Sequence, residues 1–332
     1  MKSFSSAFFL IFLGFAAQST AAQDMAFPLV CEPGRTCFIL NYPDLNAAAG
    51  KAQDYACGPS ASDGDLFLRL ALPDATMIGM NVLVLAAADG VVEDASDGIS
   101  DRMVASKAEV PAGTLNCGNG IVIDHGMGWQ TAYCHLKKGS IAVREGERVV
   151  KGQAIAAAGQ SGLATWPQLG FAIRKGGYLV DPITGQTQEE GCGFKERPVI
   201  ALPPEFMRYQ PASIVTMGFS LNVVNRNDIA YGSAARYATI SRDERRINLW
   251  AMAMGVHKDD KIEVRIRDPR GRTFHHQEII ADGDYERLPI NAGRERGYIG
   301  WRQGEYVGSV SITRVVKNKP VTVTRQVSVI VE

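Results

Sequence analysis

The stretch CGNGIVIDHGMGWQTAYCHL, Cys117 to Leu136, decides how the rest of the chain is read. Two short runs, Gly120 to His125 and Trp129 to His135, flank Gly126-Met127-Gly128. Short apolar runs joined by a glycine-bounded turn predict a β-hairpin. Period-two alternation in its second arm predicts Tyr133 and His135 on one face and Cys134 on the other. Outward from the hairpin the same texture recurs at Leu66 to Leu72, Asn81 to Ala87, Gly90 to Glu93, Ala154 to Ala158 and Leu169 to Ile173, with turn glycines at Gly146 and Gly152. Runs this short, punctuated by Gly and Asp, are strands rather than helices, so the fold is expected to be mainly β and antiparallel.

The chain has 332 residues, enough for two cores, and its 35 basic and 35 acidic residues cancel. A neutral balance gives no support for capture of nucleic acid or of an anionic membrane surface. Residues 1–22 read as a signal peptide: Lys2, the apolar run Phe8 to Ala17, then Thr20, Ala21 and Ala22 before an expected cut. That run is too short for a membrane span. Six cysteines suit export and disulfides, and local spacing suggests Cys31 with Cys37 while leaving the other pairings open. The expected organisation is an irregular, disulfide-tethered segment at 23–60, the hairpin's domain at 61–190, and a proline-rich linker at 191–215. Alternating segments from Ile247 to Val331 then predict an immunoglobulin-like β-sandwich at 216–332.

Asp89-Gly90-Val91-Val92, Gly118-Asn119-Gly120, Ile123-Asp124-His125-Gly126, Tyr133-Cys134-His135-Leu136, Lys151-Gly152-Gln153, Gly159-Gln160-Ser161-Gly162 and Val180-Asp181-Pro182 occur in that order. With these landmarks, residues 64–182 resemble the lysostaphin-type, LytM-like zinc endopeptidases of bacterial cell walls. The resemblance implies a barrel-like antiparallel β-domain. It also implies a zinc held by a His, an Asp four residues later and the second His of a His-X-His pair, with two further histidines handling the attacking water. Placed on that pattern, Asp65 stands at the first His, Arg69 at the Asp, Gln168 at the catalytic His of the pair and Gly170 at its ligand His. Only His135 is retained. A guanidinium offers no lone pair and glycine offers no side chain, so zinc is not expected as a cofactor.

The other histidines give no substitute set: His125 sits at the hairpin turn, while His257, His275 and His276 fall in the sandwich. The expected site is therefore a degenerate groove of Asp65, Arg69, Tyr133, His135, Gln168 and Gly170, with no catalytic residue and with Arg69 as a polar plug beside His135 and Tyr133. Trp166 to Gly170 is expected to form its floor. The implied function is a secreted or periplasmic, catalytically inactive homologue that binds a peptidoglycan peptide or regulates an envelope cell-wall hydrolase. Family members lacking the ligands act as activators of cell-wall amidases. The alternatives are an active metalloendopeptidase with a non-standard site, and a structural or adhesive envelope protein using sandwich aromatics such as Tyr298, Trp301 and Tyr306.

Overall fold

The computed structural model describes residues 24–104, 116–193 and 198–332, so the expected signal peptide lies outside the described residues. In the first half the strands are β1 (Phe38–Asn41), β2 (Leu68–Ala71), β3 (Leu83–Leu85), β4 (Gly90–Ser96), β5 (Asn119–Gly126), β6 (Trp129–Leu136), β7 (Arg148–Val149), β8 (Ala154–Ala157), β9 (Gln168–Lys175) and β10 (Tyr178–Val180). Eight of them form one antiparallel sheet in the order β1-β2-β9-β6-β5-β4-β7, with β10 folded back on β9, while β3 pairs with β8 apart from it. The expected hairpin is β5 and β6, closed by Gly126, Met127 and Gly128, all at positive φ.

One face of this sheet is the core. Leu68 and Leu70 of β2, Leu169, Phe171 and Ile173 of β9, and Ile121 and Ile123 of β5 are all buried in one cluster. The segment expected to be irregular contributes more than a tether. Its β1 pairs with β2, and Tyr42 and Tyr55 stack edge-on inside the same core. Disulfides join Cys31 to Cys37, Cys57 to Cys192 and Cys117 to Cys134.

The second half contains β11 (Ser213–Ser220), β12 (Thr239–Ile240), β13 (Arg246–Val256), β14 (Lys261–Arg267), β15 (Thr273–Ile280), β16 (Tyr285–Glu295), β17 (Gly304–Val316) and β18 (Lys319–Val331). They make a β-sandwich: a sheet β11-β13-β16 faces a sheet β12-β18-β17-β14-β15 across a core that includes Leu249, Val264, Val310 and Val329. β11 starts inside the stretch expected as linker. All eight of its residues are buried, because Ile214, Met217 and Phe219 face the sandwich while Val215 faces the first half. A strand covered on both sides loses the alternation that announces strands in sequence. β16 also gave no strand signal: it carries Pro289 and several charges, which an edge strand tolerates.

The halves meet over a third apolar cluster in which Phe38, Leu40 and Trp166 pack with Val215, Trp250, Met252 and Met254. Trp166 Nε1–H donates to Leu72 O at 2.7 Å, so this indole is a junction residue and not groove floor. Arg314 adds a buried polar bolt: its guanidinium binds Asp260 within the sandwich and reaches Ser60 Oγ at 2.9 Å and Pro211 O at 2.6 Å.

Candidate functional site

Strand register determines which side chains share the face opposite the core. Arg69 of β2 lies opposite Gly170 of β9, which lies opposite Cys134 of β6. The next row, Leu68, Phe171 and Tyr133, points into the core. Tyr133 therefore does not belong to the groove. Its ring packs on Phe171 at 5.4 Å, and its hydroxyl accepts from Ala87 N at 2.8 Å. Burial pushes that phenol up to about 12. Strict alternation would send His135 into the core beside it, but His135 adopts φ +61°, and this left-handed residue turns its ring to the Arg69 side. The expected common face for Tyr133 and His135 is thus corrected by one backbone dihedral. His135 N–H donates to Cys117 O at 2.8 Å, and the Cys117–Cys134 disulfide locks the same corner.

On the groove face, Asp65, Arg69 and His135 form a chain. Arg69 Nε donates to Asp65 Oδ2, and Arg69 Nη1 donates to His135 Nε2 at 3.1 Å. On the other side of the ring, His135 Nδ1 lies 2.8 Å from Ser161 O. A carbonyl only accepts, so Nδ1 carries the proton and the Nε2 lone pair faces Arg69. Burial and then the Arg69 charge lower the imidazole to about 3. It is neutral at physiological pH, and its basic lone pair is already engaged. The expected Arg69-centred plug is present beside His135, without Tyr133.

Gln168 is wholly buried on the same face, two residues from Gly170, and neither its amide nitrogen nor its amide oxygen has a hydrogen-bond partner among the described residues. Each buried polar atom left unpaired costs about 1–3 kcal/mol. Gly170 has no φ constraint. A Cβ there would sit 3.3 Å from Cys134 Cβ and 3.4 Å from His135 Cδ2, a tight but not prohibitive fit.

Asp65, Arg69, His135 and Gln168 line one cavity of about 610 Å³. Its far wall comes from the sandwich: Gly255, Val256 and His257 at the end of β13, and Asp284, Tyr285 and Glu286 at the start of β16. Thr165 Oγ1 donates to Glu286 Oε1 across the mouth. Sequence reasoning missed this wall, whose residues carry no motif and reach the site only through the packing of the two halves.

Zinc is the metal that the resemblance implies. It takes three protein donors with neutral imidazole or anionic oxygen or sulfur. Here one carboxylate is committed to Arg69, one imidazole lone pair accepts from the same guanidinium, and the remaining positions hold an amide and no side chain. This donor set does not fit zinc. His125 is engaged at both nitrogens, with Asp89 O and Thr131 Oγ1 each at 2.8 Å, and so holds the hairpin turn. In the sandwich, Glu263, His276 and Glu278 gather on one face, but Arg265 and Lys261 pair with the two carboxylates.

Residues 75–182 match the model of Peptidase family M23. The matched span contains His135, Gln168 and Gly170, while Asp65 and Arg69 lie just before it and enter the site through the pairing of β2 with β9. An uncharacterized metalloprotease of Haemophilus influenzae is 35% identical over 101 residues, 30% of this chain and 18% of that protein. The chain thus spans under a fifth of that relative's length. Among solved structures, the SpoIIQ–SpoIIIAH pore-forming complex overlaps 51% of this chain and 94% of the matched chain at 18% identity and TM-score 0.35. The catalytic domain of the antimicrobial peptidase lysostaphin from Staphylococcus simulans overlaps 43% of this chain and 85% of the matched chain at 18% identity and TM-score 0.28. Both overlaps are partial, and the likeness rests on the sequence match: residues 75–182, about a third of this chain, match the model of Peptidase family M23.

Proposed function

We propose that this protein is an exported, catalytically inactive M23 homologue that acts by binding in cell-wall metabolism, taking a peptidoglycan peptide in its cavity or regulating an envelope hydrolase. The observation that carries this proposal is the Arg69–His135 hydrogen bond: the imidazole of His135 has its lone pair occupied by a fixed positive charge, so it neither ligates a metal nor accepts a proton from water. Three disulfides, and the absence among the described residues of a helix able to cross a membrane, are compatible with an envelope location. Zinc analysis of the purified protein, a muropeptide zymogram, and calorimetric titration with peptidoglycan fragments test the proposal together. Expected are no zinc, no cleavage, and saturable binding of fragments or capture of an envelope hydrolase. Stoichiometric zinc with cleavage would overturn it.

A further inference from the structure

The cavity lies where β13 ends and β16 begins, and the opposite end of the sandwich, where β13 begins and β16 ends, carries a separate surface. Two loops meet there, residues 241–245 before β13 and residues 296–303 between β16 and β17. Trp301 fixes one to the other. Its backbone N–H donates to Arg242 O at 2.9 Å, its Nε1–H donates to Glu244 O at 2.8 Å, and its ring packs on Phe274 at 5.4 Å. Arg296 N–H adds a bond to Arg245 O at 2.7 Å. From this anchored base Gly297-Tyr298-Ile299-Gly300 stands out into solvent, with Tyr298 fully exposed and Ile299 83% exposed. Of the sandwich aromatics singled out in the sequence, Trp301 and Tyr306 belong to the core, and Tyr298 alone is offered to a partner.

The same end is cationic. Arg242, Arg245, Arg246, Arg294, Arg296 and Arg302 stand on these loops or on the strand ends leading into them, against Asp243, Glu244 and Glu295. Six positive charges against three leave a local excess that the zero balance of the whole chain conceals. Counting the adjoining turn, where Arg270 and Arg272 flank Asp268, and Glu332, whose carbonyl accepts from Arg242 N–H, does not change the sign. Arg296 pairs with Asp243 at 3.4 Å, and Arg246 approaches Glu295 at 4.0 Å. Arg242, Arg245 and Arg302 are exposed and have no acidic partner among the described residues.

We infer that this tip docks on an anionic phospholipid bilayer, with Tyr298 and Ile299 in the interfacial layer and Arg242, Arg245 and Arg302 on lipid phosphates. A side chain open on every side has no groove around it, so its partner must surround it. A bilayer does that without a shaped pocket. At headgroup depth the tyrosine ring and the isoleucine leave water, while the phenol and the guanidinium groups keep polar partners. Each arginine near an anionic surface is worth about fivefold in binding. Charge and inserted apolar groups act together, since a single weak anchor holds a protein to a membrane only marginally. The tip and the cavity are at opposite ends of the sandwich, so this docking is independent of any ligand in the cavity.

The test uses the mature chain with its disulfides intact, sedimented with vesicles of phosphatidylcholine alone or of phosphatidylcholine mixed with phosphatidylglycerol. Expected is saturable binding to the anionic vesicles only, released by high salt. Tyr298→Ser with Ile299→Ser should weaken binding about tenfold at an unchanged melting temperature, because both side chains are exposed. Arg242→Glu with Arg302→Glu should weaken it by about tenfold or more. Tyr298→Trp adds an exposed indole to four native ones that are all buried, and brominated acyl chains should quench it. No binding to anionic vesicles overturns the inference, as does binding that the serine pair leaves unchanged or an indole at position 298 that stays unquenched. If the glutamate pair does not fold, the serine pair and the salt dependence decide. An acidic protein held by this tip, in a chain that ignores vesicles, overturns the inference in favour of a protein partner. Each of these results leaves the proposed function of the cavity standing.

Discussion

Arg69 Nη1 donates to His135 Nε2 at 3.1 Å, and the same guanidinium holds Asp65, so one cation organises both neighbours. Replacing it with leucine removes the positive neighbour of His135 and leaves Asp65 largely buried without its ion-pair partner. In R69L the imidazole should titrate above its value of about 3 in the wild type, yet still below 6.5 because burial persists. Urea unfolding should show a loss of about 2–4 kcal/mol. Histidine ¹H–¹⁵N spectra against pH give the first quantity, and an unmoved His135 would show that Arg69 does not set its protonation.

Restoring donors should restore the metal. Asp65→His, Arg69→Asp and Gly170→His combined place three ligands, two imidazoles and a carboxylate, just before β2, on β2 and on the adjacent β9, and the contacts a Cβ at Gly170 would make are no closer than 3.3 Å. The triple variant should carry about one zinc per molecule by elemental analysis. Gly170→His alone should carry none, because Arg69 still occupies the site.

Two buried groups give opposite pH slopes. His135 falls from 6.5 to about 3 on folding, so its neutral form contributes stability that is complete above pH 6.5 and lost as pH drops toward 3. Asp181 rises from 3.8 to about 6 through burial, so its contribution is complete below pH 3.8 and lost as pH climbs through about 6. D181N should therefore gain stability relative to wild type between pH 4 and pH 7, by up to about 3 kcal/mol. Thermal melts of both proteins at the two pH values measure the difference, and a pH-independent difference would remove Asp181 from the account.

Arg314 should determine whether the two halves melt together. Its guanidinium spans Asp260, Gly255 O, Pro211 O and Ser60 Oγ in a buried setting. R314M strands the Asp260 carboxylate and should cost about 3–5 kcal/mol. Scanning calorimetry should then resolve two transitions where the wild type gives one.

The β-hairpin, the strands flanking it and the order of most sandwich strands were legible in sequence because one face of each is wet and turns bound them. What escaped notice was whatever lies between the halves. β11 has no polar face, β16 carries Pro289 at a sheet edge, and β1 sits in a segment dominated by turn residues. At the site, the Asp65–Arg69 pair followed from the four-residue spacing of opposite charges, while its meeting with His135 followed from the family resemblance, which places all three at one site. Tyr133 was misplaced because alternation assumes an unbroken strand, and His135 breaks it with a positive φ. Trp166 was misplaced because nothing in its own segment shows that Trp250 and Met252 pack against the same cluster.

The cavity has one wall on the first-half β-domain and one on the sandwich, at Gly255 to His257 and Asp284 to Glu286. A ligand that touches both walls is thermodynamically linked to their docking: it binds only the closed pair, so its saturation free energy adds to the junction itself. Such a ligand would act as a removable cross-brace, raising the melting of both halves in parallel. A molecule held by one half alone would leave the other half's transition unchanged.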